Sequence, residues 1–265
     1  MSLRPLDRFF AKDLTVSYSE SNVGMVVEHF THQFHGGRVY VIMGPNGCGK
    51  STLLRLLVGE MTPDSGLVEF VGGNGERSLS LEYLPQDYRQ ALFPWRTVLW
   101  NVIPWGDQGL AAPSPPSSDL DDIVRRTLLK FGLNGSLSES YPYQLSGGQE
   151  QIVLLARCVL SESRVVILDE PFSALDVIRR ATIADQLRSV WVGSGRTVIC
   201  AMHEPDEVVT LADEVLIFQG PPMRLANTVR RTGDGRDDER LAFRERLIRS
   251  LESIYRKDGS HVDQG

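Results

Sequence analysis

The chain runs from a short, mostly apolar and β-branched stretch, RVYVIM (Arg38 to Met43), into GPNGCGKST (Gly44 to Thr52). STLLRLLVG (Ser51 to Gly59) then carries leucines at helical spacing. This order predicts a buried strand, a glycine loop and a helix, and it constrains the fold more than any other feature. The glycines let backbone N–H groups turn inward around phosphate oxygens. The helix starting near Lys50 adds the positive end of its dipole. Lys50 can reach the β- and γ-phosphates of a nucleoside triphosphate, and the Ser51 hydroxyl is placed for Mg²⁺. Cys48 fills a permissive loop position.

A second motif, LSGGQ (Leu145 to Gln149), narrows the chemistry. Ser146, Gly147 and Gly148 open a helix expected over 146–160, so their N–H groups can form a second anion site. One triphosphate in one folded chain has little need of two phosphate cradles. A head-to-tail dimer does, with each ATP between the phosphate loop of one copy and LSGGQ of the other. RVVILDE (Arg164 to Glu170) reads as a buried strand ending in two acids. Neighbouring side chains on a strand diverge, so Asp169 can serve the metal while Glu170 faces attacking water.

The 265 residues, 42% of them hydrophobic, suffice for one large domain or a domain with a subdomain. A net charge of −6 argues against a sequence-independent grip on nucleic acid. Cys48, Cys158 and Cys200 have no paired spacing and suggest free thiols in a reducing compartment. No apolar run approaches the ~18 residues that span a bilayer. MSLRPLDRFFAKD lacks the apolar core of a signal peptide. The expectation is a cytoplasmic chain that meets a membrane only through a partner.

Further strands are expected over Asp13–Tyr18 and Met25–Phe30, and over 67–72 and 80–86 around a glycine-rich VGGNG turn. AAPSPPSS (Ala111 to Ser118) is a break. A helix over 119–132 has Asp119 as cap and Ile123, Leu128 and Phe131 among its apolar positions. Another helix covers 177–191. RTVICAMHE (Arg196 to Glu204) and EVLIFQG (Glu214 to Gly220) are buried-type strands. A charged amphipathic helix over 237–256 packs through Leu241, Leu247, Ile248, Leu251 and Ile254.

In these ordered motifs the chain resembles the ATP-binding subunits of ABC transporters, from about Leu14 to Gly220. The resemblance implies an α/β fold: a P-loop NTPase core with an antiparallel β subdomain and an α-helical subdomain inserted at about 88–160. The ATP-binding domain would cover 1–230, followed by a charged helical tail over 231–265. It also implies ATP hydrolysis with Mg²⁺, and a nucleotide site of Tyr18 on adenine, the loop Gly44, Pro45, Asn46, Gly47, Cys48, Gly49, Lys50, Ser51 and Thr52, and Gln86. Ser146, Gly147, Gly148 and Gln149 of a second copy complete it. Ser51, Gln86 and Asp169 would serve the metal; Glu170, His203 and Lys50 would be catalytic. SALD (Ser173 to Asp176) looks like the loop at the dimer interface. LFPWRTVLWNV (Leu92 to Val102) resembles a stretch of bacterial importers of nitrate, sulfonate and taurine, where Phe93, Trp95 and Trp100 would help receive a membrane-subunit helix. The alternative is that these aromatics are only subdomain core.

The implied partners are a second copy, integral membrane permease subunits and a separate solute-binding protein, with no nucleic acid. The implied place is the inner face of the cell membrane. Two residues depart from the family pattern: Glu150 stands where a basic residue is usual, and Glu204 follows His203 where Asp is usual. The rival readings are an ABC-type ATPase acting on ribosomes or nucleic acid, an ABC ATPase for another cargo, a small-molecule kinase, and a nonhydrolysing regulatory subunit. Tandem cassettes or long coiled coils would mark the first, and this chain has neither.

Overall fold

In the computed structural model, residues 8–18, 24–71, 80–103, 118–233 and 237–257 are described. The expected break over 111–117 and the glycine-rich turn over 72–75 lie outside them. The described chain opens with an antiparallel pair, β1 (Arg8–Tyr18) and β2 (Gly24–Phe34). Both strands are longer than the sequence pattern suggests, because their alternation changes phase midway. Phe9 and Ala11 face inward, then Leu14 and Val16 do. A one-residue slip would turn half of each strand to solvent. Irregular register between Ala11 and Leu14 absorbs the slip. Asp13 (φ 50°) and His29 (φ 49°) take left-handed backbone there and pair at 2.7 Å.

β3 (Val39–Met43) follows, then α1 (Lys50–Val58), β4 (Ser65–Val71) and β5 (Leu81–Leu84). The strands expected over 67–72 and 80–86 do not pair with each other. β4 joins the first sheet beside β1, in the order β2-β1-β4. β5 joins a second sheet. The pattern of each strand is short and apolar, so nothing local says which sheet takes it.

Next come α2 (Val98–Val102), α3 (Ser118–Lys130), α4 (Gly147–Leu160) and β6 (Val165–Asp169). Then follow α5 (Val177–Trp191), β7 (Thr197–Ala201), α6 (Pro205–Leu211), β8 (Glu214–Gln219), β9 (Arg224–Arg230) and α7 (Asp237–Lys257). The second sheet has the order β5-β6-β7-β3-β8-β9, parallel except for β9. Its central strands are buried on both faces, which is why they read as unbroken apolar runs. Val39, Val41 and Met43 face a core shared with α4, α5, α6 and α7. Tyr40 and Ile42 face the other core, with Leu53, Leu54, Leu56 and Leu57 of α1 and the inner face of the antiparallel sheet.

Two helices keep most of the expected stripe, Leu128 and Phe131 in α3 and Leu247, Leu251 and Ile254 in α7, but turn Ile123 and Leu241 to solvent. In α3 the buried residues are Val124 and Leu128, continued by Phe131, while Ile123 is 43% exposed. The spacing 124, 128, 131 follows one helix face, and Ile123 lies off it. In α7 the stripe is Phe243, Leu247, Leu251 and Ile254, and Leu241 is 63% exposed. These four join the core that covers β3, β8 and β9. α2, α6 and β9 were not expected. α2 and α6 have five and seven residues, too few to display a period, and β9 (RLANTVR) is a largely exposed edge strand.

The packing of α7 has a measurable consequence. Leu247→Ala should destabilise the protein by about 2–5 kcal/mol in urea unfolding. Leu241→Ala should cost less than about 0.5 kcal/mol. Equal, small effects would mean that α7 is a solvated tail.

Candidate active site

Met43 ends β3 at the carboxyl edge of the parallel sheet, and Gly44 to Gly49 wrap from there into α1. Gly49 has φ 115°, and a Cβ on it would lie 3.0 Å from Val26 Cγ1. Only glycine fits both demands. Lys50 is 7% exposed, and its Nζ donates to the carbonyls of Gly44 (2.9 Å) and Pro45 (3.0 Å). The ammonium is thus folded over the loop. Cys48 is fully buried, and burial pushes its thiol pKa up. Its side chain faces the interior, so only its backbone is at hand for a ligand.

β6 ends beside this loop. Asp169 is 3% exposed; burial pushes its carboxyl pKa up, and a hydrogen bond from Ser51 pulls it back down. Glu170 follows with φ 50°, unusual for a residue with a side chain. Its N–H donates to Ala201 O at 3.0 Å, which fixes the turn against β7. The two acids therefore part company: Asp169 ends β6 beside Ser51, and the left-handed turn at Glu170 carries that residue to the cleft.

A cleft of about 500 Å³ brings together Tyr18, Gln86, Glu170 and His203 with Asn46, Gly47, Gly49, Lys50, Ser51 and Thr52. These come from β1, from the first turn of α1, and from the segments that follow β3, β5, β6 and β7. Val26 of β2 also lines it, a residue the sequence reading passed over. The Tyr18 hydroxyl is 3.4 Å from Thr52 Oγ1. His203 Nε2 is 3.6 Å from Glu204, the acid that departs from the family pattern. A smaller pocket adjoins Glu170 and His203. Arg180 there donates to Leu175 O (2.7 Å) and to Glu207 (3.5 Å). Burial raises the Glu207 pKa and the Arg180 charge opposes the rise.

Ser146 to Gln149 are not among the residues lining that cleft. Ser146 is the N-cap of α4 and Gln149 closes a capping box: Gln149 N–H donates to Ser146 Oγ (3.4 Å), and Ser146 N–H donates to Gln149 Oε1 (2.8 Å). The Gln149 side chain is committed to that cap. A Cβ on Gly148 would meet Ala174 O at 3.1 Å, so the helix start is seated on the SALD turn.

One residue of this region was missed. Gln151 is 1% exposed. Its amide donates to Glu170 O (3.3 Å) and Ser173 Oγ (3.2 Å) and accepts from Ala174 N–H (2.9 Å). It joins the helix that begins at Ser146 to the backbone of Glu170. The signal was a lone amide on an otherwise apolar helix face.

Asn101 shapes the LFPW stretch. It is fully buried; its Oδ1 accepts from Phe93 N–H (2.8 Å), and its Nδ2 donates to the carbonyls of Phe93, Arg96 and Thr97. The loop it holds presents Trp95, 66% exposed, with the Phe93 ring 5.8 Å away. Trp100 is half-buried, with the Arg96 guanidinium 5.0 Å from its ring. Among the described residues, no helix is long and apolar enough to cross a membrane.

A family model described as ABC transporter matches residues 27–173. The chain is 34% identical to the taurine import ATP-binding protein TauB of Chromobacterium violaceum, over 80% of this chain and 84% of that protein. It is 34% identical to the aliphatic sulfonates import ATP-binding protein SsuB of Bacillus subtilis, over 78% of this chain and 77% of that protein. Among solved structures it is similar to cbiO1 of Clostridium perfringens, part of the ABC transporter complex cbiONQ. That match has a TM-score of 0.67 and 25% identity, over 97% of this chain and 98% of that chain. With the phosphate loop, the acid pair and the capped LSGGQ helix in one α/β fold, the chain belongs to the ABC transporter family as an ATP-binding, ATP-hydrolysing member.

Proposed function

We propose that this chain is the ATPase subunit of a bacterial importer of small anions, working as a head-to-tail homodimer on the inner face of the cell membrane. The observation that carries the reading is the meeting of Tyr18, the phosphate loop, Gln86, Glu170 and His203 in one cleft, while Ser146 to Gln149 stand outside it. The relatives' printed substrates, taurine and aliphatic sulfonates, support sulfonates as the cargo class.

In this reading adenine stacks on Tyr18 and the triphosphate lies in the loop. Lys50 and the loop amides hold the β- and γ-phosphates. Ser51, Asp169 and Gln86 offer hard oxygen donors, and a buried carboxylate balanced by one hydroxyl suits a Mg²⁺ ion there. When bound, Mg²⁺ would offset phosphate charge. Glu170 accepts a hydrogen bond from a water aligned with the γ-phosphorus. That oxygen bonds to phosphorus as the bond to the bridging oxygen breaks, giving ADP and phosphate. His203, at the end of the neighbouring strand β7, steadies the γ-phosphate. Gln151 keeps the Glu170 turn in place from α4.

Ser146, Gly147 and Gly148 of a second copy would close over the same γ-phosphate, so ATP favours the closed dimer and hydrolysis releases it. The exposed Trp95 and the half-buried Phe93 would receive a helix of the permease, and a separate binding protein would deliver the solute.

Glu170→Gln should keep ATP binding, lower turnover by about two to four orders of magnitude and accumulate an ATP-bound dimer by light scattering. Unchanged steady-state hydrolysis would remove Glu170 from its role. Trp95→Ala should leave soluble ATPase and unfolding midpoint near wild type but abolish copurification with the permease. A matching drop in stability would assign Trp95 to the subdomain core. In vesicles carrying permease and this chain, labelled taurine should accumulate with ATP; nitrate uptake without taurine uptake would move the cargo class.

A further inference from the structure

Glu150 lies in the first turn of α4, four residues after Ser146 and three after Gly147, and so on the same helix face as both. Its side chain is only 14% exposed. A carboxylate there suits the helix dipole in isolation. It opposes the use proposed for this helix start, because it sets a poorly screened negative charge beside the N–H groups meant for a phosphate.

Arg89 answers that charge. It sits in the short turn Tyr88–Ala91, just after cleft-lining Gln86. Its Nε is 3.5 Å from Glu150 Oε2. The Tyr88 hydroxyl and Arg89 Nη2 lie 3.0 and 3.8 Å from where a side chain on Gly147 would begin, so the turn is seated against the helix start. The other nearby arginine, Arg157, is committed elsewhere: its Nε donates to Glu82 (2.8 Å) and its Nη1 to Ala91 O (2.8 Å). Arg89 itself is 71% exposed. Pairs this open contribute little to stability, so folding does not account for it.

We propose that Arg89 is a positioning residue for the two-copy site: it neutralises Glu150 so that Ser146, Gly147 and Gly148 can accept the γ-phosphate of ATP held by a second copy. The proposal rests on the dimer reading given above. It also accounts for the acid after LSGGQ, with the cation supplied from the turn after Gln86 instead.

The test uses the full chain in the Glu170→Gln background, where the ATP dimer persists, and follows its formation against ATP concentration. Arg89→Ala should raise the half-maximal ATP concentration about ten-fold, the scale of one close charge at intermediate dielectric. The urea midpoint should not move. Glu150→Gln alone should leave the half-maximal concentration equal or lower, and Arg89→Ala with Glu150→Gln should return it to the starting value. With Glu170 intact, the same pattern should appear in KM for ATP and leave kcat within about two-fold. Unchanged dimerisation in Arg89→Ala overturns the proposal. So does a loss that Glu150→Gln fails to relieve, whether or not stability falls. Ser146→Arg separates the two readings. If it abolishes the ATP dimer while Arg89→Ala does not, the role of Arg89 alone is lost. If it leaves the dimer intact, the two-copy site is lost.

Discussion

Burial of β3 on both faces is the constraint on which the rest of the molecule depends. Its odd residues belong to one core and its even residues to the other, so the strand cannot slip or turn over without emptying both. That pins Met43 at the carboxyl edge of a parallel sheet. The three strands on one side of it end at the same edge, and each is followed by one cleft residue: Gln86 after β5, Glu170 after β6, His203 after β7. Parallel order makes those ends coincide, which is why ligands of such sheets collect there.

The second requirement is communication between that edge and the helix that starts at Ser146. Gln151 supplies it from within, through its bonds to Glu170 O and Ala174 N–H. Arg157 supplies it from the other side, holding α4 to Glu82 of β5 and to Ala91. The helix is thus bonded on one flank to the turn that carries Glu170 and on the other to β5 and Ala91. The start of α4 is thereby tied to the cleft edge, although Ser146 to Gln149 do not line the cleft.

The phosphate loop, the acid pair and LSGGQ were legible because their chemistry is local: a few adjacent backbone groups and one or two side chains suffice. The central strands were legible for the same reason, each a short apolar run. What escaped was whatever depended on a neighbour far along the chain. The phase change at Asp13 hid half of β1, and β9 has almost no apolar signal because it is an edge. Ile123 and Leu241 looked like core residues, yet the faces that α3 and α7 bury lie to other sides of each helix. Gln151 and Asn101 are ordinary amides until the carbonyls and N–H groups they hold are in place.

By itself the sequence determined that a glycine loop joins a buried strand to a helix, that a buried strand ends in two successive acids, and that LSGGQ opens another helix. Those follow from side-chain type and from spacing within one turn or strand. Only the tertiary structure decided that β4 and β5 part into different sheets, that Glu170 and His203 line one cleft, and that Glu150 is answered by Arg89. These depend on which surfaces meet, and burial of distant residues against one another sets that.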